Sequence, residues 1–229
     1  MKNFKMNYSK SVGLKKFASS RNRPLTTKQK LVFERNFRKL SIESFCNIKK
    51  LKRHNKKILE IGFGTGDILL KNALSNPDNL YVGIEYYKKG IAQLLLKIEK
   101  YEIKNLRLYY GDALDFIEKS HNSLFDDILI MFPDPWPKKK HWKRRFLNNK
   151  SVREISRCLK GGGGIFFYTD DRNLAVWGLR YLINDKNLLW DIQKPIDCRR
   201  NNFLYFNSKY EIKALKENKN PYYFKFTKF

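Results

Sequence analysis

The stretch KILEIGFGTGD, residues 57–67, decides the fold, because an apolar run passes directly into three glycines at alternate positions, 62, 64 and 66. The apolar half predicts a buried β-strand, and glycines after it permit positive φ and a close approach of a ligand to the backbone. The spacing is GxGxG, which differs from the GxGxxG that seats a dinucleotide pyrophosphate. Glu60 and Asp67 place negative charge beside the glycines, which favours a cationic ligand such as the sulfonium of S-adenosylmethionine.

Short apolar runs and segments of helical periodicity alternate along the rest of the chain. The predicted strands are Lys57–Ile61, Leu80–Glu85, Leu106–Tyr110, Asp127–Phe132, Ile165–Thr169 and Tyr222–Lys228. The predicted helices are Ile68–Leu74, Gly90–Lys100, Ala113–Lys119, Phe146–Leu159 and Leu174–Ile183. The four glycines Gly161–Gly164 predict the end of a helix followed by a turn. Strands separated by helices indicate an α/β protein with a parallel, doubly wound sheet.

Residues 1–55 form a basic extension with one predicted helix, Leu31–Phe45, and residues 56–229 form the predicted Rossmann-like domain. The first acidic residue is Glu34, so the Lys- and Ser-rich start also fits a mitochondrial transit peptide. A basic arm that contacts RNA explains the same composition and is the interpretation that we favour. The expected compartment is the reducing cytoplasm.

The 229-residue chain carries 48 Lys and Arg against 22 Asp and Glu, a formal net charge of +26, which points to a polyanionic partner. An AT-biased genome also enriches Lys, so clusters of charge are more informative than the total. Cys46, Cys158 and Cys198 are scattered and form no CxxC pair, so neither a disulfide framework nor a metal site is predicted. No apolar run reaches the ~18 residues of a membrane span, and we expect no membrane contact.

Two further carboxylates stand at the ends of predicted strands. Glu85 ends the second strand, the position from which a carboxylate usually binds ribose hydroxyls, and Asp112 follows the third and could accept from an adenine amino group. Ligands bind along that edge of a parallel sheet, which favours a ligand site over two ordinary helix caps. We expect Asp67, in contrast, to be a helix cap.

The run FPDPWPKKKHWKRR, residues 132–145, follows the fourth strand and therefore lies on the same edge. Its three prolines stiffen the chain and hold Asp134 and Trp136 in place, which suits a planar acceptor such as a nucleobase. The cations after them are expected to contact RNA phosphates, although a solvated basic loop has the same composition. These predicted RNA contacts are Lys139, Lys140, His141, Lys143, Arg144 and Arg145.

Five motifs together resemble the bacterial tRNA (guanine-N7)-methyltransferase family. They are EIGFGTG (60–66), GIE (83–85), GDA (111–113), FPDPWPKKKHWKRR (132–145) and TD (169–170). The resemblance runs from about Leu14 to the C-terminus, since LKKFASSRNRPLTTKQK also looks like the basic N-terminal segment of that family. The proline motif with its basic tail is highly specific, whereas many methyltransferases share the glycine turn.

The resemblance implies a class I S-adenosylmethionine-dependent methyltransferase fold, with a mostly parallel seven-stranded sheet flanked by helices. It implies S-adenosylmethionine as the cofactor and a guanine of the tRNA variable loop, at position 46 in most tRNAs, as the target. The donor-site residues that the resemblance implies are Glu60, Gly62, Gly64, Glu85, Asp112 and Asp134. Of these, Asp134 is also the implied catalytic residue, the one closest to the chemistry.

The substrate contacts that the resemblance implies are Lys138, Asp170, Ser208, Lys209, Tyr210 and Glu211. The last four match the family's Thr-x-aromatic-Glu signature, with Ser in place of Thr. Lys140 stands where the family usually has Arg, so a bidentate phosphate contact is lost there.

Two other classes of function stay open on the sequence. Asp-Pro-Trp is loosely similar to the Asn/Asp-Pro-Pro-aromatic motif of enzymes that methylate exocyclic amines, although the extra prolines and the cationic tail argue against that reaction. The other is a non-catalytic RNA-binding module with a relic ligand site, which the full set of acidic residues disfavours. We expect tRNA as the partner, no obligate protein partner and a monomer.

Overall fold

The computed structural model describes residues 24–42, 54–192, 194–199 and 209–229. Its strands are β1 (Lys57–Ile61), β2 (Leu80–Glu85), β3 (Leu106–Tyr110), β4 (Phe125–Met131), β5 (Leu159–Thr169), β6 (Leu188–Trp190) and β7 (Tyr222–Lys228). Its α-helices are α1 (Thr27–Leu40), α2 (Asp67–Ser75), α3 (Lys88–Lys100), α4 (Ala113–Glu118), α5 (Asn149–Cys158), α6 (Arg172–Ile183) and α7 (Lys209–Lys216). Two 3₁₀ segments are Lys139–Arg144 and Pro195–Arg199.

The seven strands form one sheet in the order β3-β2-β1-β4-β5-β7-β6. The first five are parallel neighbours, whereas β7 is antiparallel to both β5 and β6. This confirms the predicted seven-stranded, mostly parallel sheet. The chain order reverses between β1 and β4, and in such sheets the ligand site lies beyond the carboxyl ends of the strands at that reversal. The glycine turn and the proline run both begin at this edge.

The core is split by the sheet into two layers, because alternate residues of a strand point to opposite faces. Leu59 and Ile128 are fully buried on one face, and Ile58 and Leu129 are buried on the other. Helices cover both faces of these central strands, and their inner stretches 58–61 and 128–131 are apolar with one exception. That exception is Glu60 in β1, which is 2% exposed.

Gly161–Gly164 do not form the predicted turn after a helix. Helix α5 ends at Cys158, and the next residue already pairs with β4, as Phe125↔Leu159. The pairing then jumps to Asp127↔Gly164, so the glycines form an irregular bulge inside β5. A side chain at Gly163 would stand 2.5 Å from the Asp126 carbonyl oxygen, and Gly162 has φ +75°. Close strand contact therefore requires glycine at Gly163, and the positive φ favours it at Gly162, so the turn prediction was wrong.

Helix α1 begins earlier than the predicted helix Leu31–Phe45 because Thr26 and Gln29 form a reciprocal capping box. It ends at Leu40, and Ser41 then bridges to Leu108 of β3. Its buried face packs on α3 and β3. The described part of the extension therefore covers one side of the domain, while the proposed boundary at residue 55 lies close to segments outside the described residues.

Within the ranges that the structure describes, no helix has the length and apolar character needed to cross a bilayer. Two elements were not predicted, β6 and α7. Both lie near the antiparallel end of the sheet, and both are short, so hydrophobic periodicity has few residues in which to appear.

Candidate active site

The glycine turn between β1 and α2 forms the floor of the site. Gly62, Gly64 and Gly66 have φ of +73°, +60° and +70°, a region that favours glycine. A Cβ at Gly66 would meet Leu94 at 2.7 Å, so this glycine is needed for helix packing. A Cβ at Gly62 or Gly64 would meet no described residue within 4 Å. The space above these two glycines is therefore available to a ligand.

Glu60 brings a buried carboxylate to this floor. Among the described residues, no donor reaches its Oε2 atom, which is buried. Burial, and then the negative charges of Glu85 and Asp67, raise the pKa of Glu60 to about 8. An uncompensated buried carboxyl is costly unless a ligand supplies the missing partner. This observation fits a ligand that carries positive charge.

Glu85, at the end of β2, ties the glycine turn to the next strand. Its Oε2 accepts from the Gly64 amide at 2.7 Å, and its Oε1 accepts from the amides of Tyr86 and Tyr87 at 2.7 and 2.8 Å. Oε2 accepts from one amide only, so its second lone pair can still accept from a ribose hydroxyl. Burial raises the pKa of Glu85, these backbone donors oppose the rise, and the negative charge of Asp134 adds to it.

Asp112 is the N-cap of α4, where its Oδ1 accepts from the amides of Leu114 and Asp115 at 2.8 and 3.3 Å. The helix-cap role that the sequence left open is therefore present, and the contact with adenine stays a prediction. Asp67 is not a cap, because Gly66 occupies the N-cap of α2. Asp67 instead accepts from the Thr65 hydroxyl at 2.7 Å and pairs with Lys97.

An open cleft, about 310 Å³ including its solvent-filled part, lies above the glycine turn. Its lining residues are Glu60, Gly62, Phe63, Thr65, Asp67, Ile68, Met131 and Tyr210. Tyr210 comes from α7, and the sequence placed it among the substrate contacts rather than in the donor site. Burial raises its pKa, and the negative charges of Asp134, Glu85 and Asp67 raise it further. The structure therefore brings Tyr210 together with the donor-site carboxylates.

The proline run adopts a strained backbone. Phe132 and Trp136 have φ of +49° and +44°, and each precedes a proline, which disfavours the helical region. A non-glycine residue in such a conformation costs on the order of 1–3 kcal/mol and persists only where its surroundings enforce it. Asp134 lies between the two strained residues and is exposed, and partial burial raises its pKa. Its negative charge adds to the raised pKa of Glu85 and of Tyr210, so it lies near both.

The basic tail is a 3₁₀ helix, Lys139–Arg144, rather than a solvated loop. Lys138, Lys139, Lys140 and Lys143 are exposed, as contacts with RNA phosphates require. The guanidinium of Arg144 lies 4.7 Å from the centre of the Trp136 ring, and the His141 ring lies 5.7 Å from it. Four exposed cations and one aromatic platform therefore stand directly after Asp134.

Arg145 departs from the prediction that it contacts RNA. Its side chain is 2% exposed, and its Nε donates to the Pro135 carbonyl at 2.9 Å. The guanidinium carbon lies 4.9 Å from the Trp142 ring centre and 5.0 Å from that of Trp177. A buried group packed against two rings cannot reach a phosphate, so we correct this assignment. The adjacent apolar pair Phe146 and Leu147 was the sequence signal that the chain turns inward here.

The structure describes the side chains of only two residues of the C-terminal signature, Tyr210 and Glu211. Ser208 and the Lys209 side chain lie outside the described residues. Glu211 is 1% exposed, and the Tyr223 hydroxyl donates to its Oε1 at 2.7 Å. Glu211 therefore anchors α7 to β7, and the expectation that it contacts substrate does not fit its burial. Asp170 is exposed after β5, 3.9 Å from the Lys219 ammonium.

Comparison with known proteins identifies the family. A family model described as "Putative methyltransferase" matches residues 54–224. A tRNA (guanine-N(7)-)-methyltransferase of Bartonella henselae is 38% identical over 172 residues, 74% of each chain. That of Agrobacterium fabrum is 34% identical over 168 residues, 73% of this chain and 72% of the relative.

Solved structures share the fold at low identity. The aminoglycoside resistance methyltransferase NpmB1 gives a TM-score of 0.52 at 16% identity, over 79% of this chain and 91% of that one. A 30S ribosomal A1408 methyltransferase from an uncultured bacterium gives 0.51 at 21% identity, over 80% and 92%. The sheet order, the glycine turn and these neighbours define a class I S-adenosylmethionine-dependent methyltransferase.

The free space above the glycine turn and the unpartnered Glu60 oxygen fit that methyl donor. Within that class, the family is shown by the identity of 38% and 34% to the two tRNA (guanine-N(7)-)-methyltransferases. The chain belongs to the tRNA (guanine-N(7)-)-methyltransferase family.

Proposed function

We propose that this protein transfers a methyl group from S-adenosylmethionine to N7 of a guanine in tRNA, at position 46 of the variable loop. The observation that carries the proposal is one shared edge of the sheet. There the carboxylate-lined cleft, the rigid Asp134 loop and the exposed cations of the 3₁₀ segment follow one another without an intervening element. A donor site, a base-contacting acid and a phosphate-binding surface are the three parts that this reaction needs.

The chemistry demands little of the protein beyond position and charge. When bound, S-adenosylmethionine supplies an electrophilic methyl group, and guanine N7 has a free lone pair and no proton to lose. No general base is therefore required, and catalysis rests on alignment and electrostatics. The product ring is positively charged, so the Asp134 carboxylate, which lies near Glu85 and Tyr210, stabilises the developing charge. Asp170 is a second carboxylate at the same sheet edge.

The target guanine must leave its stack before it can reach Asp134, at a cost of a few kcal/mol. Phosphate contacts offset this cost, and Lys138, Lys139, Lys140 and Lys143 are exposed beside the loop to make them. The Trp136 ring beside them offers a face on which the extruded base or its neighbour can stack.

Salt dependence tests the phosphate-binding surface. Replacing Lys138, Lys139 and Lys140 with Ala should flatten the slope of log K for tRNA against log salt by about 2, since each phosphate contact contributes roughly 0.7–0.9. The affinity for S-adenosylmethionine should stay nearly the same. The measurement is tRNA binding by fluorescence anisotropy from 50 to 300 mM salt, with calorimetry for the donor.

A matched control removes three exposed lysines from the opposite edge of the sheet, near the starts of β3, β4 and β6. These are Lys104, Lys119 and Lys186. The control should keep the slope of the unmodified protein. Equal slopes in the two triple variants would show that charge anywhere on the surface serves equally well and would refute the assigned surface.

The site of methylation separates the proposal from its alternatives. Unmodified tRNA is incubated with the protein and the labelled donor, digested to nucleosides, and the methylated product is identified by mass spectrometry. 7-Methylguanosine is expected. A methyl group on an exocyclic amine would assign the other base-methylating class, and no binding of S-adenosylmethionine by calorimetry would leave an RNA-binding module.

We further propose that the protein acts in the cytoplasm as a monomer and that residues 1–55 serve RNA binding while residues 56–229 carry the chemistry. The cleft lining comes from one chain and lies within residues 60–210, so a second copy is not needed to complete it. Light scattering in the presence of the donor should give about the 27.4 kDa of one chain.

A further inference from the structure

Arg145 is a buried cation that neither the donor site nor the RNA surface uses. Burial lowers the pKa of its guanidinium, and the negative charge of Asp171 partly opposes this. In the described parts of the chain, no acceptor reaches its Nη2 atom, which is buried, and no carboxylate lies within ion-pair distance. A protein keeps such a costly group only where an apolar residue of the same volume cannot do its work.

The contacts of Arg145 show what that work is. Its Nε–H donates to the Pro135 carbonyl, one residue after Asp134. The Trp142 and Trp177 rings pack edge to face with centres 5.7 Å apart, and the guanidinium packs beside both of them. Trp142 also donates from Nε1 to the Pro137 carbonyl at 3.3 Å, so two carbonyls of the proline run are held from the same side.

The two rings are themselves fixed to the scaffold. Trp177 lies in α6 and donates from Nε1 to the Leu147 carbonyl at 2.7 Å. Among the described residues, no donor holds the Asp134 carboxylate itself, so the backbone of the proline run sets its position. A path of direct contacts therefore leads from α6 through Arg145 to the residue beside Asp134.

We infer that Arg145 is a positioning residue for methyl transfer: it fixes the Pro135 carbonyl against α6 and thereby holds Asp134 where the acceptor base must meet it. The planar guanidinium is needed because its Nε–H donates to the Pro135 carbonyl while the group packs beside two aromatic rings, which a lysine ammonium cannot do in the same geometry. This inference rests on the proposed function, since it concerns the geometry of that same reaction.

The test separates rate from binding and from folding. Arg145→Met keeps the volume and removes the planar guanidinium, and we expect its single-turnover rate at saturating tRNA and donor to fall about tenfold or more. The dissociation constant of S-adenosylmethionine and the salt slope for tRNA should stay within about twofold of the unmodified protein, and the Tm should not fall, because replacing a buried, unpaired cation with an apolar side chain is often neutral.

Arg145→Lys serves as the second variant, because it keeps the charge and removes only the planar guanidinium. Its rate should also fall, by several-fold. Lys143→Met is the contrasting variant on the exposed side of the same segment, and it should flatten the salt slope.

Three results would overturn the inference. They are an unchanged rate in Arg145→Lys, an unchanged rate in a folded Arg145→Met, or a flattened salt slope in either, which would make Arg145 a phosphate contact. If the unmodified protein itself produced no 7-methylguanine, the proposed function would fail. If the unmodified protein is active and both Arg145 variants keep its rate, the proposed function stands and only the role of Arg145 is removed.

Discussion

Asp134→Asn is expected to lower the single-turnover rate of methyl transfer by about 100-fold, the usual effect of removing one preorganised electrostatic contact from a reacting centre. Asn keeps the size and the polarity of the side chain and removes only its charge. Affinities for tRNA and S-adenosylmethionine should change little. The loss should therefore appear in the rate at saturation rather than in the concentration of tRNA or donor needed to reach it.

The rate of methyl transfer should also depend on pH in a defined direction. Burial holds the pKa of Asp134 above its ordinary value of 3.8, and the carboxylate is the active form. The rate should therefore fall as the pH falls through that raised pKa, and the acid limb should vanish in Asp134→Asn. Asp78→Asn, an exposed position before β2 on the opposite edge, is the control and should keep the limb. An Asp134→Asn variant with the normal rate and profile would refute charge stabilisation.

Glu60→Gln is expected to weaken binding of S-adenosylmethionine by about tenfold or more, because a buried charge pair is lost. With its pKa near 8, Glu60 is mostly protonated in the free protein at neutral pH. A cationic donor favours the ionised form, so binding should release close to one proton and should tighten as the pH rises toward 8. Calorimetry at pH 7 in buffers of different ionisation enthalpy measures this proton. Heats that are independent of the buffer would contradict the role of Glu60.

The same carboxyl links stability to pH. Because the folded pKa lies above the ordinary value of 4.5, its contribution is complete below pH 4.5 and is lost as the pH rises through 8. Between those values the free energy of unfolding should fall by about 1.4 kcal/mol per pH unit from this group alone. Glu60→Gln removes that slope. The free energy of unfolding of the variant, measured by urea denaturation, should therefore rise relative to that of the unmodified protein as the pH rises from 5.5 to 8.5. A constant difference would contradict the raised pKa.

The sequence was sufficient for the parts of the fold that local patterns control. The run KILEIGFGTGD predicts a strand, a turn that needs positive φ and a helix, and all three are confirmed. The ends of β2, β3 and β7 were also predicted to the residue, because each strand begins directly after an asparagine or a proline. The prolines predicted a stiff loop, and the positive φ of Phe132 and Trp136 shows how stiff it is.

What the sequence missed depends on contacts between distant segments. Gly161–Gly164 have the composition of a turn, and only the pairing of β4 with β5 makes them a bulge. Arg145 sits among exposed cations of the same type, and only Trp177, 32 positions away in the chain, shows that it is buried. Glu211 likewise acquires its anchoring role from Tyr223 on another element.

The central claim is methylation of guanine N7 in tRNA, and cleavage chemistry specific for 7-methylguanine tests it most directly. Unmodified tRNA is treated with the protein and S-adenosylmethionine, reduced and cleaved at 7-methylguanine, and the fragments are mapped at single-nucleotide resolution. The account predicts one new cleavage site, at position 46 of the variable loop, that requires both the donor and Asp134. Transfer of the methyl group without any such cleavage would contradict it.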